Sequence, residues 1–322
     1  LAICGGFAGP APRPDLQERI RQAEARIRPW ILETPLVPSP LGDGLFLKLE
    51  NLQHTGSFKA RGAFSKLLAL GALGLERGVI AASTGNHGAA VAYAAGKLGT
   101  RARIIVSDDA HPGKVAAIRA LGGEVLVHGH DSAKAEGYAR RLAEQERVPY
   151  VSPYNDLDVI AGQGTIGIEL TREIPGADMV YVALGGGGLL AGVASWLGAV
   201  WPGVTVVGCS PANSAVMVES VRAGRILELE SKPTLSDGTA GGVEAGAITF
   251  EMVQALAADY VTVSEDDIRR AMSLVSEAHG MAVEGAAGVA VAACLRQAER
   301  WRGKTAIVIV CGGNVKGVES AS

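Results

Sequence analysis

From residue 79 onward the chain alternates short, β-branched apolar runs with longer helix-like stretches, and it does so in two separate series. In the first, residues 79–83, 102–107 and 124–127 read as strands, with helices over 88–98, 114–121 and 132–146. In the second, the strands are 179–184, 204–209, 260–263 and 305–310, and the helices include 265–279 and 284–300. Short strands that are apolar throughout and separated by helices belong to parallel sheets covered on both faces. Two series predict two such layers: an α/β chain with parallel or mixed sheets flanked by helices. A ligand then belongs in the cleft between the layers or at the strands' carboxyl ends. The length of 322 residues fits two domains at roughly 150 residues each. The expected division is a large domain of residues 1–66 and 152–322 and a small inserted one of 67–151. Ahead of the alternation, a helix is expected from Asp15, as N-cap, to Arg28, where Pro29 ends it. A short strand follows at 45–50.

Charge narrows the partners. With 30 Lys+Arg against 33 Asp+Glu the net charge is −3, without the basic excess that a nucleic-acid partner favours. A hydrophobic fraction of 48 % excludes global disorder. The uncharged run 179–201 is long enough to raise a membrane span, but four successive glycines divide it into strand, turn and helix. No membrane partner is expected. Cys4, Cys209, Cys294 and Cys311 form no C-x-x-C pair, which favours a reducing, cytoplasmic compartment. Residues 1–14 carry three prolines and no basic n-region, and they read as a loose extension rather than a signal peptide.

Four blocks carry chemistry. In Thr55-Gly56-Ser57-Phe58-Lys59-Ala60-Arg61-Gly62, Thr55 or Ser57 can cap a helix whose first turn then holds Lys59. The helix dipole disfavours a cation there. A lysine desolvated between Phe58 and Ala60 has a lowered pKa and suits a Schiff-base nucleophile or general base. A snorkelling surface lysine is the plainer reading of that residue alone. Gly185-Gly186-Gly187-Gly188 sits between a strand and a helix, where free backbone N–H groups hold an anion, usually phosphate. Leu189-Leu190-Ala191 replaces the Gly-Lys-Ser/Thr of a P-loop, and the next strand runs into Cys209 and Ser210 without a carboxylate for a ribose. A simple phosphate fits better than a nucleotide; a glycine turn that merely packs helix on strand is the alternative. Ser83-Thr84-Gly85-Asn86-His87-Gly88 offers hydroxyls, an amide and free N–H groups to a carboxylate, or is only a well-capped turn. Cys311-Gly312-Gly313-Asn314 ends the last strand, where a neutral thiol suits a ring nitrogen or is a small buried hydrophobe.

The order of these blocks carries a resemblance. Leu47-Lys48-Leu49-Glu50-Asn51-Leu52-Gln53 leading into Gly56-Ser57-Phe58-Lys59-Ala60-Arg61-Gly62-Ala63 resembles the serine/threonine dehydratases, fold-type II (tryptophan synthase β-like) enzymes that use pyridoxal phosphate. The likeness continues through Ser83 to Gly88, Ala161-Gly162-Gln163-Gly164-Thr165, the four glycines and Cys311 to Asn314, nearly the whole chain after Thr34. It implies an imine between the cofactor and Lys59, with Phe58 stacked nearby. It further implies phosphate in the turn of Gly185, Gly186, Gly187 and Gly188, and the Asn86 amide on the phenolic oxygen. Ser83, Thr84, Asn86 and His87 are implied as holders of the substrate carboxylate, and Gly238 and Glu284 as lining the far side of the pocket. Cys311 stands where the family offers the pyridine nitrogen a residue that is most often Ser. A neutral partner there delocalises carbanion charge less fully and favours loss of a β-substituent.

The implied reaction is dehydration and deamination of a β-hydroxy amino acid, L-threonine or L-serine first, to a 2-oxo acid and ammonia. Lys59 removes the α-proton. A 3-hydroxyaspartate dehydratase competes, with Lys134 or His130 as the greeter of a second carboxylate. Serine racemase-like and threonine synthase-like activities follow, then a binding protein that kept the fold. Relatives that also racemise serine carry Ser where Thr84 stands, which makes the Thr84 hydroxyl a second catalytic candidate. Several relatives bind a divalent cation through acidic residues after the strand that here ends at Cys209. Ser210-Pro211-Ala212-Asn213-Ser214-Ala215-Val216 has no carboxylate, so no metal is expected. Little chain follows Asn314, so no regulatory domain and no feedback inhibition by isoleucine are expected, and the form looks degradative. By analogy with the family, a homodimer or homotetramer is expected.

Overall fold

A computed structural model of the protein describes residues 14–315. Its strands are β1 (Leu36–Pro38), β2 (Leu45–Lys48), β3 (Val79–Ala82), β4 (Ala102–Val106), β5 (Glu124–Val127), β6 (Met179–Ala183), β7 (Thr205–Pro211), β8 (Asp259–Val263) and β9 (Ala306–Ile309). The helices are α1 (Pro14–Ile27), α2 (Lys59–Leu75), α3 (Asn86–Lys97), α4 (Pro112–Ala120), α5 (Ser132–Glu146), α6 (Leu157–Glu173), α7 (Gly188–Val200), α8 (Val216–Ala223), α9 (Ile248–Leu256), α10 (Glu265–His279), α11 (Gly285–Arg296) and α12 (Ala298–Trp301).

The two alternating series become two sheets. A three-stranded sheet, β3-β4-β5, is parallel throughout. Its period-two side chains separate into two cores: Val79, Ala81, Ile104 and Val106 pack with Ala90, Val91 and Ala94 of α3, whereas Ile80 and Ile105 pack with Ala135, Ala139 and Ala143 of α5. Both faces are therefore covered, which accounts for the apolar runs. The larger sheet has the order β1-β2-β9-β6-β7-β8 and is parallel except for β1, which pairs antiparallel with β2. Sequence pattern missed β1. It is three residues long and ends in Pro38, a residue tolerated at a sheet edge and suppressed within a sheet.

Several boundaries differ from expectation for local reasons. Helix α1 begins at Pro14, so Asp15 lies in the first turn, where its charge favours the dipole, and is not the cap. Helix α3 starts at Asn86, which places Asn86 and His87 in its first turn. Strand β7 runs past Cys209 to Pro211, paired with β8. The helix expected over 284–300 breaks at Gln297, and the indole of Trp301 donates to the Cys294 carbonyl over 3.0 Å. The expected N-terminal extension, residues 1–13, and the end after Val315 lie outside the described residues.

Helix α6 is buried from Val159 to Leu170 and carries α2 on one side and α7 on another. Close approach is possible because Gly192 of α7 has no side chain: a Cβ there would fall 2.4 Å from the Ile160 carbonyl oxygen. The start of α2 is fixed by charge. Arg61, fully buried, donates to both oxygens of Glu50 (2.8 and 2.7 Å) and both of Glu169 (2.6 and 2.9 Å). Lys48, also fully buried, reaches Glu169 at 2.8 Å, the Thr34 carbonyl at 2.5 Å, and Glu173. Burial alone would raise the Glu169 pKa, but Arg61 and Lys48 hold it below its ordinary value. This network ties β2, α2 and α6 together one turn from Lys59.

Candidate active site

Lys59 is the first residue of α2. The expected caps are absent: neither Thr55 nor Ser57 caps α2, and its N-cap, Phe58, makes no side-chain cap bond. Instead the chain enters through a strained turn. Thr55 adopts φ 63°, ψ 13°, an outlier for a β-branched residue, and Gly56 follows at φ 71°. Ser57 then pairs its backbone with Gly312, and the Phe58 N–H donates to the Cys311 carbonyl at 3.1 Å. Strain of this kind is kept where surrounding structure over-determines it, commonly at functional sites.

The Lys59 amine donates to the Pro153 carbonyl at 2.8 Å and lies 5.0 Å from the centre of the Phe58 ring. Burial pulls its pKa down to about 8, against the pull of Cys311 and Glu284 in the other direction. The sequence argument from desolvation thus has a physical cause in the structure. Glu284, at the N-cap of α11, accepts from Asn86 Nδ2 at 2.8 and 3.1 Å and lies 4.0 Å from the Cys311 sulfur. Burial pushes its carboxyl above its ordinary value, opposed by the Asn86 hydrogen bond and the Lys59 charge. Gly312 packs directly on that carboxylate, where a Cβ would fall 2.5 Å from Oε1, and a Cβ on Gly238 would fall 3.6 Å from the same atom. Burial, then Glu284, raises the Cys311 thiol well above its usual range, so it is a neutral thiol.

His87 is buried, and its Nε2 donates to the Val151 carbonyl at 2.8 Å. Burial and the nearby Lys59 charge push its pKa down to about 3, so the ring is neutral and committed to backbone. Of its groups, the backbone N–H in the first turn of α3 is the one suited to an anion. Ser83 Oγ accepts the Gly85 N–H at 3.1 Å, and Thr84 is partly exposed on the same turn.

The glycine turn ends β6 and opens α7. Gly187 is its N-cap at φ 90°, a conformation that glycine adopts without strain. The first intrahelical bond runs from Ala191 N–H to the Gly187 carbonyl, so the amides of Gly188, Leu189 and Leu190 have no acceptor in the helix. Gly185 lies against the chain after Gly238: a Cβ on Gly185 would fall 2.8 Å from Thr239 Cα.

These residues present a desolvated amine, a set of free amides at a helix start, and a neutral thiol beside a buried carboxylate. Ser57 adds a fully buried hydroxyl with no hydrogen-bond partner among the described residues, a group that a buried polar ligand would satisfy. This donor set fits a ring aldehyde with a phosphate tail. A family profile described as pyridoxal-phosphate dependent enzyme matches residues 27–312. The chain belongs to that family. Pyridoxal phosphate is accordingly its cofactor. The chain is 38 % identical over 303 residues to an L-threonine ammonia-lyase of Thermotoga maritima, covering 92 % of this chain and 75 % of that protein. Threonine deaminase isoform 2 of Solanum lycopersicum superposes with a TM-score of 0.91 at 31 % identity, covering 96 % of this chain and 92 % of that one. Maize serine racemase superposes at 0.88 with 33 % identity, covering 93 % and 94 %.

Two expected substrate contacts are not brought to this site. His130 is exposed and paired with Asp108 at 2.5 Å, and Lys134 is exposed and paired with Asp131 at the start of α5. Both belong to the rim of the small sheet. At the end of β7, Ser210 Oγ donates to the Leu184 carbonyl at 2.6 Å, beside the glycine turn. Among the described residues no group of three or more His, Cys, Asp or Glu is arranged for a metal, and no helix is long and apolar enough to cross a membrane. Pro153 and Tyr154 were not singled out from sequence, and Asn314 stood in the last of the four blocks without a role of its own. Tyr154 packs on Gly186 and Gly188 and accepts the Glu244 N–H at 3.0 Å through its hydroxyl. No periodic or motif signal in the sequence pointed to it.

Proposed function

We propose that this family member is an ammonia-lyase that dehydrates and deaminates L-threonine or L-serine to a 2-oxo acid and ammonia. The observation that carries the reading is Lys59: a desolvated amine at the opening of α2, hydrogen-bonded to the Pro153 carbonyl and close enough for its charge to lower the His87 pKa at the start of α3. Pyridoxal phosphate, when bound, supplies an aldehyde for imine linkage and an electron sink for the α-carbon. The chain's own residues divide the remaining work. Lys59 holds the cofactor at rest and, with a pKa near 8, exists partly as the neutral base able to take the α-proton. The amides opening α7 receive the phosphate, the turn from Ser83 to His87 receives the substrate carboxylate, and the neutral Cys311 thiol avoids fixing a proton on the ring nitrogen. Phe58 and the buried walls of the pocket exclude water.

The support in similarity is the L-threonine ammonia-lyase of Thermotoga maritima and the tomato threonine deaminase. A racemase side activity is the second reading, favoured by the likeness to maize serine racemase and the Thr84 hydroxyl on the α3 turn. We carry three further proposals: a division into residues 1–66 with 152–322 and residues 67–151, a homodimer or homotetramer, and a cytoplasmic location. Free buried thiols at Cys209, Cys294 and Cys311 support the last.

The test combines product and adduct. Holoenzyme should release 2-oxo acid from L-threonine or L-serine, and hydride reduction should place the cofactor on Lys59 by peptide mass spectrometry. Lys59→Ala should lose the adduct and lower turnover by roughly 10^3-fold. An adduct on another side chain, or none, would end this reading, and chiral analysis of unreacted serine decides the racemase arm.

A further inference from the structure

The amide of Asn86 lies at the middle of a hydrogen-bonded chain that crosses from the small sheet to the large one. Asn314 Nδ2 donates to the Thr55 carbonyl at 2.8 Å and to Asn86 Oδ1 at 2.8 Å. Asn86 Nδ2 donates in turn to Glu284 Oε2 at 2.8 Å and Oε1 at 3.1 Å. One end is a backbone carbonyl, which can only accept, and the other, Glu284, accepts as the ionised carboxylate. Its polarity is therefore fixed. Turning the Asn86 amide over would set its oxygen against the Glu284 carboxylate and its NH2 group against the Asn314 NH2 group, two repulsive contacts in place of two bonds. Gly56 leaves room for the arrangement, since a Cβ there would fall 2.5 Å from Asn314 Oδ1.

We propose that Asn314 and Glu284 are positioning residues that lock the Asn86 side chain so that a single N–H is what it has left to offer the cofactor. An amide has two donor hydrogens and one acceptor oxygen. Asn314 occupies the oxygen, and the two Glu284 oxygens, side by side on one carboxylate, share one hydrogen, which leaves the second. The resemblance assigns the phenolic oxygen to this amide; with the cofactor bound, a fixed donor there would stabilise that oxygen as an anion and keep its basicity low. The inference rests on the cofactor's lying in this site as proposed above.

The experiment uses holoenzyme and the variants Asn314→Ala and Asn314→Asp; Asn314 is exposed, so neither empties a core position. The readout is the pH titration of the visible absorbance band, with hydride trapping on Lys59 as the companion measurement. Without the lock the phenolic oxygen loses its donor, becomes more basic and holds the proton shared with the Lys59 nitrogen more firmly. The midpoint should move to higher pH by about half a unit or more, a threefold change in the equilibrium, and Asp should move it at least as far as Ala. A purely structural role would lower the unfolding temperature and leave the midpoint in place. Midpoints within about 0.2 unit of the parent in both variants, with Lys59 still trapped, overturn the inference alone. A parent protein that is not trapped at Lys59 overturns the site reading beneath it.

Discussion

Lys59 was legible in the sequence because a lysine at a helix start conflicts with the dipole, and a conflict retained in a buried context points to use. The cause of its low pKa is nevertheless tertiary: burial, with Cys311 and Glu284 pulling the other way. Those partners come from the far end of the chain; the sequence marked both residues but not their effect on Lys59. The same limit applies to His130 and Lys134, which charge alone made attractive and which are exposed and paired with Asp108 and Asp131. A pH dependence follows from Lys59. Below about pH 8 the amine is mostly protonated and cannot attack an aldehyde; above it the neutral nucleophile predominates. The rate at which apoenzyme recaptures pyridoxal phosphate should therefore climb about tenfold per pH unit on the acid side and flatten above pH 8. Stopped-flow absorbance on apoenzyme measures it, and a rate that is flat from pH 6 to about 9 would show that the amine is not desolvated.

At the scale of elements, most strands were visible because sheets covered on both faces demand apolar runs, and β5, α5 and α10 fall on their expected bounds. What sequence hid was why Lys48, Glu50 and Arg61 belong to the same block as Lys59. They are an ion network buried beneath the helix that presents the lysine, and charged residue types ordinarily read as surface. Such networks contribute little net stability when whole, but removing one partner strands the others. Arg61→Leu leaves Glu50 and Glu169 facing each other without water and should lower unfolding free energy by about 3–5 kcal/mol in urea titrations. Because Arg61 and Lys48 hold Glu169 below its ordinary pKa, this stabilisation is present above the unfolded carboxylate value and is lost as pH falls through the lower, folded one. Arg61→Leu should accordingly lose less stability than the parent on acidification. A second element-scale expectation concerns the end of β7. Ser210 satisfies the Leu184 carbonyl where a cation site would want a carboxylate, so chelator in metal-free buffer should leave turnover of L-threonine or L-serine unchanged. A severalfold loss that magnesium or calcium restores would refute it.

At the scale of the whole molecule, the stretch of residues 224–247 between α8 and α9 carries no strand or helix and gave no periodic signal beyond Gly238. Loops of that length are uncommon in compact chains unless they serve a site. This one touches it at three points: Gly238 beside Glu284, Thr239 against Gly185, and Glu244 on the Tyr154 hydroxyl. It is also tied to the small sheet's helices, through Glu244 to Arg140 of α5 at 2.6 Å and Asp237 to Lys114 of α4 at 3.7 Å. Partly exposed pairs of this sort contribute about 1 kcal/mol or less to stability. Their worth lies in where they hold the loop, because the apolar cores on the two sides of it do not depend on them. The double variant Lys114→Ala with Arg140→Ala should unfold within about 1 kcal/mol of the parent. Its KM for the amino acid should rise severalfold, and raising ionic strength should reproduce part of that rise in the parent protein and none of it in the variant. Steady-state kinetics at low and high salt, set beside urea unfolding, separates the two quantities. An unchanged KM would mean that the loop is held over the pocket by Thr239 and Tyr154 alone, and a fall in stability matching the rise in KM would mean that the two pairs support the fold rather than the site.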